Sequence, residues 1–307
     1  MSKPIIATII VTYNRSQKLT QSIEHVLKQS TASDKIFIID NASTDETPEI
    51  IKQYNQKYEQ ITPIILSKNT GGAGGFYTGI KEAYHQGADY IWIMDDDCYP
   101  EVDALQNLLK SYDFFDEQKL ERPAFAASHV LWKDGKFSNL NPLSPRNDWS
   151  RYYTKNSPYA LLKAASFVSV LIPKESIEEF GLPIKEYFIW FDDIEYTQRL
   201  SRRGQFYGVG VMNSIVVHDS ASNITPDLSL VDDSNIWKYA YNIRNNAAYR
   251  LHQRSNPFAF IGYGLKMKRQ FKKAHLSKAY VKKLKKAYWS ALKFKPTIEY
   301  VQKHPKD

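Results

Sequence analysis

The chain has a single cysteine, Cys98, among 307 residues. One thiol cannot close an internal bridge, which excludes a disulfide-built scaffold and makes a reducing cytoplasm the expected compartment. Long hydrophobic runs are missing too. The most apolar later stretch, residues 160–172, contains Lys163 and falls short of the roughly 20 apolar residues a bilayer span needs. The opening run, residues 5–11, is too short for a signal peptide and lacks a small-residue cleavage site. Internal repeats are absent. Acidic residues disappear between positions 234 and 298, where 16 Lys and Arg stand.

What is present describes an ordinary globular protein with a large core. Hydrophobic residues make up 43%, charged residues 24% and aromatics 14%, which excludes a disordered or collagen-like chain. The length suits about two folding units of roughly 150 residues, although one α/β domain can reach roughly 250. The net charge of +8 is unevenly distributed. Residues 234–307 carry 18 Lys and Arg against two acidic groups, whereas residues 1–233 carry 23 against 31. An acidic body is joined to a strongly basic tail.

Apolar, β-branched runs predict strands at 5–12, 35–39, 61–66 and 90–94, with later ones at 124–130, 166–172 and 214–218. Helices are expected at 16–29 with Ser16 as a cap, from Ser43 or Thr44 onward, at 73–86 behind a glycine-rich entry, and from the Asp192 region to Arg202. Strands alternating with helices indicate an α/β, mainly parallel sheet. Residues 139–158, rich in Pro, Asn and Ser, read as a long loop. From Asn235 onward the pattern is helical.

Ligands of an open parallel sheet sit beyond the carboxyl ends of its strands. Here the first four strands end at Tyr13-Asn14, Asp40-Asn41, Asn69 with Gly71 and Gly72, and Asp95-Asp96-Asp97. One polar strand end is a turn; four in succession make a site. Three consecutive carboxylates repel unless they are solvated or share a cation, and oxygen ligands suit Mg²⁺ or Mn²⁺. In an extended segment Asp95 and Asp97 face the same way, with Asp96 directed elsewhere. The stretch from Asn69 to Gly75 is neither a Walker loop nor a dinucleotide fingerprint; it reads as a close backbone approach to a ligand or a tight turn into a helix.

A second acidic cluster, Asp192-Asp193 with Glu195, follows aromatic residues including Trp190. Aromatic faces stack on sugars, and a carboxylate in a partly dry pocket makes a general base. An Asp there also serves as a helix cap, and Glu195 either binds substrate or pairs with Arg199. His218 ends an apolar strand, a position that suits either a structural histidine or a metal ligand.

Together "IIVTYNR", "DNASTDET" from Asp40 and "MDDD" resemble glycosyltransferase family 2, the inverting nucleotide-sugar enzymes of the fold called GT-A. "NTGGAGGF", "WFDDIEYTQR", "VVHDS" and "YNIRNN" resemble its bacterial galactofuranosyltransferase and rhamnosyltransferase branch. The resemblance covers about residues 4–250. It implies a GT-A catalytic domain over 1–233 and a helical basic region over 234–307. It further implies that Asp40 accepts from a uracil or thymine imide, with Thr12, Asn14 and Asn69 around the nucleoside and Gly71, Gly72 and Asp96 beside the donor. Asp95, Asp97 and His218 would bind Mn²⁺ or Mg²⁺, and Asp193 would be the base. Trp190, Asp192, Glu195 and Arg244 would line the sugar and acceptor pocket.

The implied donor is UDP-galactofuranose, with dTDP-rhamnose as the alternative, and the implied acceptor a lipid-linked saccharide of cell-surface polysaccharide synthesis. A sugar nucleotidyltransferase is disfavoured because its glycine-rich opening loop with Arg, followed by a Pro-Lys pair, is missing. A nucleic-acid binder is disfavoured because the body is acidic. In the basic region Tyr280, Leu284 and Tyr288 recur every four residues, which predicts an amphipathic helix on an anionic membrane surface. The expected location is therefore cytoplasmic, peripheral on the inner face of the plasma membrane.

Overall fold

The computed structural model describes residues 3–201 and 206–302. The chain runs β1 (Ile6–Thr12), α1 (Ser16–Leu27), β2 (Lys35–Asp40), α2 (Thr47–Lys57), β3 (Ile61–Ile65), α3 (Gly71–His85), β4 (Tyr90–Asp95), β5 (Cys98–Pro100) and α4 (Ala104–Glu117). It continues through β6 (Phe125–Trp132), β7 (Ser144–Pro145), β8 (Tyr153–Thr154), β9 (Ser157–Ala164), β10 (Val170–Pro173), α5 (Lys174–Phe180), α6 (Asp192–Leu200) and β11 (Gly208–His218). It closes with α7 (Ile236–Ala248), α8 (Pro257–Lys273) and α9 (Lys278–Ser290).

The strands form one sheet in the order β3-β2-β1-β4-β10-β6-β11-β9-β7, with β5 on β11 and β8 on β9. β3, β2, β1 and β4 run parallel, as do β6 and β11, while β10 runs antiparallel between β4 and β6. Successive residues of a strand point to opposite faces, so a strand covered on both sides must be apolar throughout. Ile6, Ile10, Ile36, Ile38, Trp92 and Met94 accordingly pack with Leu19, Ile23 and Val26 of α1, Ile51 of α2 and Leu105 and Leu108 of α4. Ile9, Val11, Phe37, Ile39, Ile91 and Ile93 face Phe76 and Ile80 of α3, Ile177 of α5 and Tyr196 and Leu200 of α6. Register then aligns the strand ends: Thr12 lies opposite Asp40, and Val11 opposite Asp95.

Several boundaries differ from expectation for identifiable reasons. The N-cap of α1 is Arg15 rather than Ser16, whose N–H instead faces Asp45 Oδ2 at 3.4 Å. The second helix starts at Thr47, because the Ser43 and Thr44 N–H groups donate to Asp40 Oδ1 and Asn14 Oδ1. The apolar stretch over residues 160–172 divides between two strands, β9 and β10, and the expected long loop contains β7 and β8. α6 ends at Leu200; Arg202 lies outside the described residues, as do Lys303, Lys306 and Asp307 of the basic tail.

The helical region has its own apolar cluster. Ile236, Tyr239 and Ile243 of α7 pack with Phe260, Met267 and Phe271 of α8 and Leu284 and Tyr288 of α9. This corrects the expected membrane face: Leu284 and Tyr288 are buried, Tyr280 is half-buried against the same cluster, and the Tyr288 ring stacks on Phe260 with its hydroxyl on the Phe260 carbonyl. No helix among the described residues is long and apolar enough to cross a membrane.

Candidate active site

Parallel register brings the polar strand ends to one edge of the sheet. Asp40, the last residue of β2, is fully buried. Its Oδ1 accepts from the Ser43 N–H at 2.9 Å, while its Oδ2 is buried with no hydrogen-bond partner. A buried, unpaired carboxylate oxygen is costly, and an acceptor in that state matches a ligand N–H donor. Asn14 has a positive φ of 53° and holds the neighbouring loop through its Oδ1 on Thr44. Asn69 Oδ1 accepts from the Gly71 N–H at 2.7 Å. Asn41, which the motif reading left without a role, clamps the glycine segment through Gly71 O and through the N–H and hydroxyl of Thr70.

The glycine segment serves packing at Gly71. That residue has φ +72°, and a Cβ there would meet the Phe188 carbonyl oxygen at 2.0 Å. The Phe188 oxygen in turn accepts from the Ala73 N–H at the start of α3. Gly72, by contrast, borders open space.

The carboxylates after β4 are arranged differently from the expected alternation. The chain turns after Asp95, so Asp96 and Asp97 share one cation: Arg15 Nη1 lies 3.0 Å from Asp96 Oδ1 and 2.8 Å from Asp97 Oδ2. Thr12 Oγ1 donates to Asp96 Oδ2 at 2.7 Å. Asp96 therefore does not point elsewhere, and Thr12 reaches it. Lys18 Nζ stands 3.7 Å from Asp97 and 3.4 Å from Asp219, and Lys133 reaches Asp219 at 3.3 Å. Burial pushes the Asp95 carboxyl well above the usual range, helped by the charges of Asp97 and Asp96. Burial also lifts Asp96 to about 6 against the pull of Arg15. Burial works the same way on Asp97, but the His218 hydrogen bond and the charges of His218, Arg15 and Lys18 hold it low.

His218 closes this corner through the pairing of β11 with β5, where it lies opposite Cys98. Its Nε2 is 3.3 Å from Asp97 Oδ1, and its Nδ1 is 2.6 Å from Asn141 Oδ1. An acceptor at Nδ1 fixes the proton there and turns the Nε2 lone pair toward a carboxylate oxygen. Two acceptors at that separation call for a proton or a cation between them. The potential ligand atoms of Asp97, Cys98 and His218 lie within 4.8 Å of one another. Asp95 is not in that group, contrary to the expected triad, and Cys98 stands in its place with a thiol that burial keeps protonated. A carboxylate with an imidazole fits Mn²⁺ better than Mg²⁺, which prefers oxygen alone.

The second acidic cluster is built on a strained turn. Phe188, Trp190 and Phe191 have φ of 68°, 61° and 77°, values that non-glycine residues seldom adopt. Asn245 of α7, fully buried, holds them: its Nδ2 donates to the carbonyls of Tyr187, Ile189 and Trp190 at 3.0, 3.3 and 2.9 Å. Asp192 and Asp193 follow in the first turn of α6. Burial pushes Asp193 up to about 6, and burial together with the Asp193 charge pushes Asp192 up to about 8. The charge of Asp192 also bears on Asp95, so the two acidic clusters face one edge of the sheet.

Three expected pocket residues have protein partners, and for Glu195 this is the pairing with Arg199 that the sequence offered as one reading. Glu195 is buried in a two-pronged pair with Arg199, at 2.8 and 3.1 Å, and Arg199 also donates to the carbonyls of Phe180 and Leu182. Arg244 donates to the Glu186 carbonyl and to Asn245 Oδ1, and its guanidinium lies 3.8 Å from the centre of the Phe294 ring. Trp190 packs edge-on against Tyr239 in the helical cluster. The sequence signals missed Arg15, Lys18, Asn41, Asn141 and Asn245, because each acts through a contact distant in sequence. Arg15, Asn41 and Asn245 stand within the quoted motifs, where no role was assigned to them.

Comparison with known proteins agrees with this geometry. The family described as Glycosyl transferase family 2 matches residues 7–154. The galactofuranosyltransferase GlfT1 of Mycolicibacterium smegmatis is 27% identical over 213 residues, covering 66% of this chain and 68% of that protein. An uncharacterized glycosyltransferase of Haemophilus influenzae is 33% identical over 187 residues, covering 60% and 68%. Among solved structures, S. aureus TarS superposes with a TM-score of 0.54 at 17% identity over 80% of this chain, and GalNAc-T7 with UDP, GalNAc and Mn²⁺ with a TM-score of 0.59 at 14% over 89%. The chain spans 40% and 55% of those two chains, and the likeness is one of fold, GT-A. With strand-end carboxylates on a GT-A sheet and relatives of this kind, the chain belongs to glycosyltransferase family 2.

Proposed function

We propose that this glycosyltransferase moves galactofuranose from UDP-galactofuranose onto a hydroxyl of a lipid-linked saccharide, at the cytoplasmic face of the plasma membrane in cell-surface polysaccharide synthesis, with inversion at the anomeric carbon. The observation that carries the reading is the pairing of opposed sites on one sheet edge: the unpartnered Asp40 Oδ2 on one side and the raised carboxyl of Asp193 on the other. Similarity to galactofuranosyltransferase GlfT1 supports the choice of donor. The basic helices α8 and α9 support the choice of a membrane-bound acceptor.

In this reading Asp40 Oδ2 accepts the uracil imide N–H, and Asp97 with His218 holds a divalent cation, Mn²⁺ before Mg²⁺. Such an ion, when bound, neutralises charge growing on the departing diphosphate. Arg15 and Lys18, already beside Asp97, add fixed positive charge at the same place. Asp193 takes the acceptor proton as its oxygen attacks the anomeric carbon from the face opposite the leaving group. Asp192, held neutral at pH 7, leaves a single base in the pair.

Replacing Asp193→Asn removes the proton acceptor without changing shape. Transfer from UDP-galactofuranose should fall by roughly a thousandfold or more, within the range general-base loss produces, while UDP still protects the variant from thermal unfolding. Near-normal turnover of the variant overturns the base assignment. Equal protection by UDP and by an unrelated nucleotide, with and without Mn²⁺, overturns the donor assignment.

A further inference from the structure

With the expected face of α9 buried, the apolar surface that remains belongs to α8. One side of that helix, through Phe260, Met267 and Phe271, packs in the helical cluster. At 100° per residue, Phe258, Ile261 and Leu265 fall within about 60° of one another on the opposite side. They are 83%, 56% and 56% exposed. Lys268, Arg269 and Lys272, all exposed, continue the same stripe toward the C-terminal end of the helix. Trp289, itself 58% exposed, has its ring centre 6.2 Å from that of Phe260, and exposed Leu292 follows it.

Single exposed apolar residues are ordinary. A stripe of three with cations around it is a contact surface. Its charge selects the occupant. No Asp or Glu occurs between positions 234 and 298, so a second copy presenting this same face would bring like charge against like. Exposed Lys282, Lys283, Lys285 and Lys286 of α9 add to the same field. A helix apolar on one side and basic around it lies in the plane of an anionic bilayer surface, with each cation contributing about 1 kcal/mol.

We propose that the Phe258–Ile261–Leu265 stripe of α8 is the surface by which the enzyme docks on anionic lipid. The docking deepens the acceptor half of the proposed function, yet its test requires no sugar donor. The full chain is sedimented with phosphatidylcholine vesicles, with and without phosphatidylglycerol. The wild type should bind only the anionic vesicles, and less as salt rises. The triple variant Phe258→Ser, Ile261→Ser, Leu265→Ser should bind roughly tenfold more weakly or less, and Lys268→Glu, Arg269→Glu, Lys272→Glu should abolish the preference for phosphatidylglycerol. Val102→Ser, at an exposed apolar position of the body, should bind as the wild type does. Undiminished binding by the triple serine variant overturns the proposal, as does failure of the wild type to bind. A wild-type dimer that the serine variant converts to monomer would reassign the face to self-contact and overturn it equally. Thermal protection by UDP checks that the variants are folded, and its loss in the wild type would sink the donor reading while leaving the vesicle result standing.

Discussion

Asp192 and Asp193 illustrate how two adjacent carboxyls acquire different duties. Both are raised by burial, and the charge of Asp193 drives Asp192 further, to about 8. A base must be deprotonated to act, so kcat/KM should climb with pH through about 6 and level off above it; a profile flat from pH 5 to 8 would remove Asp193 from the proton transfer. Stability should move the opposite way. Because both folded pKa values lie above the unfolded carboxylate value of 3.8, the folded state binds more protons between these limits, and stability falls as pH rises from about 4 toward 8. Asp192→Asn cannot ionise, so it should raise Tm at pH 8 and raise it much less at pH 5. An equal gain at both pH values would show that Asp192 is not the strained ionised group.

At the scale of elements, the site depends on how α7 grips the turn before α6. Three positive-φ residues in four positions are strained, and the Asn245 amide spans three of the carbonyls around them. Asn245→Ala leaves those carbonyls unpaired in a buried place, at about 1–3 kcal/mol for such a loss. The expected result is a kcat lowered roughly tenfold or more through misplacement of Asp193, with UDP protection reduced less, because the turn reaches the glycine segment through Phe188 while Asp40 is held by Ser43. A lowered Tm with normal kcat would mean that the turn keeps its shape without the amide.

The same element shows what could be read from the chain. Strands β1 to β4 and their polar ends were legible because continuous apolar, β-branched runs and the polar residues that end them are local properties. The grip of Asn245 was not, since its partners lie 55 to 58 positions away. The direction assigned to Asp96 failed for a related reason: the chain turns after β4, and Arg15, some 80 positions earlier, gathers Asp96 and Asp97 together. His218 was legible as a strand end, whereas its partner Asn141 lay in a segment without periodicity. Helix periodicity along α9 was read correctly as an apolar face, but periodicity does not say whether that face meets lipid or another helix.

For the whole molecule, the question is whether the basic region is an appendage or part of the catalytic body. The chain beyond α9 returns to the sheet. Leu182 N–H donates to the Glu299 carbonyl at 2.8 Å, a Cβ on Gly181 would meet Ile298, and Phe294 and Ile298 pack with Ala73 and Tyr187. The Glu299 carboxylate, drawn down to about 2 chiefly by its hydrogen bond from Lys81 and also by that from Tyr77, ties the same segment to α3. Its side chain is 42% exposed, so this ion pair is worth at most about 1 kcal/mol. Phe294 and Ile298, partly buried beside the turn before α6, together count for more, each at a fraction of the about 1.5–3 kcal/mol of a fully covered side chain. Glu299→Gln should therefore leave Tm within about 2 °C of the wild type. Deletion of residues 294–307 should lower Tm by several times that amount and depress kcat, because Phe294 also carries the Arg244 guanidinium that holds the Glu186 carbonyl. Calorimetry of the deletion variant decides the matter: one transition shifted downward means that tail and body melt together, whereas an unshifted main transition would make the basic region a detachable arm.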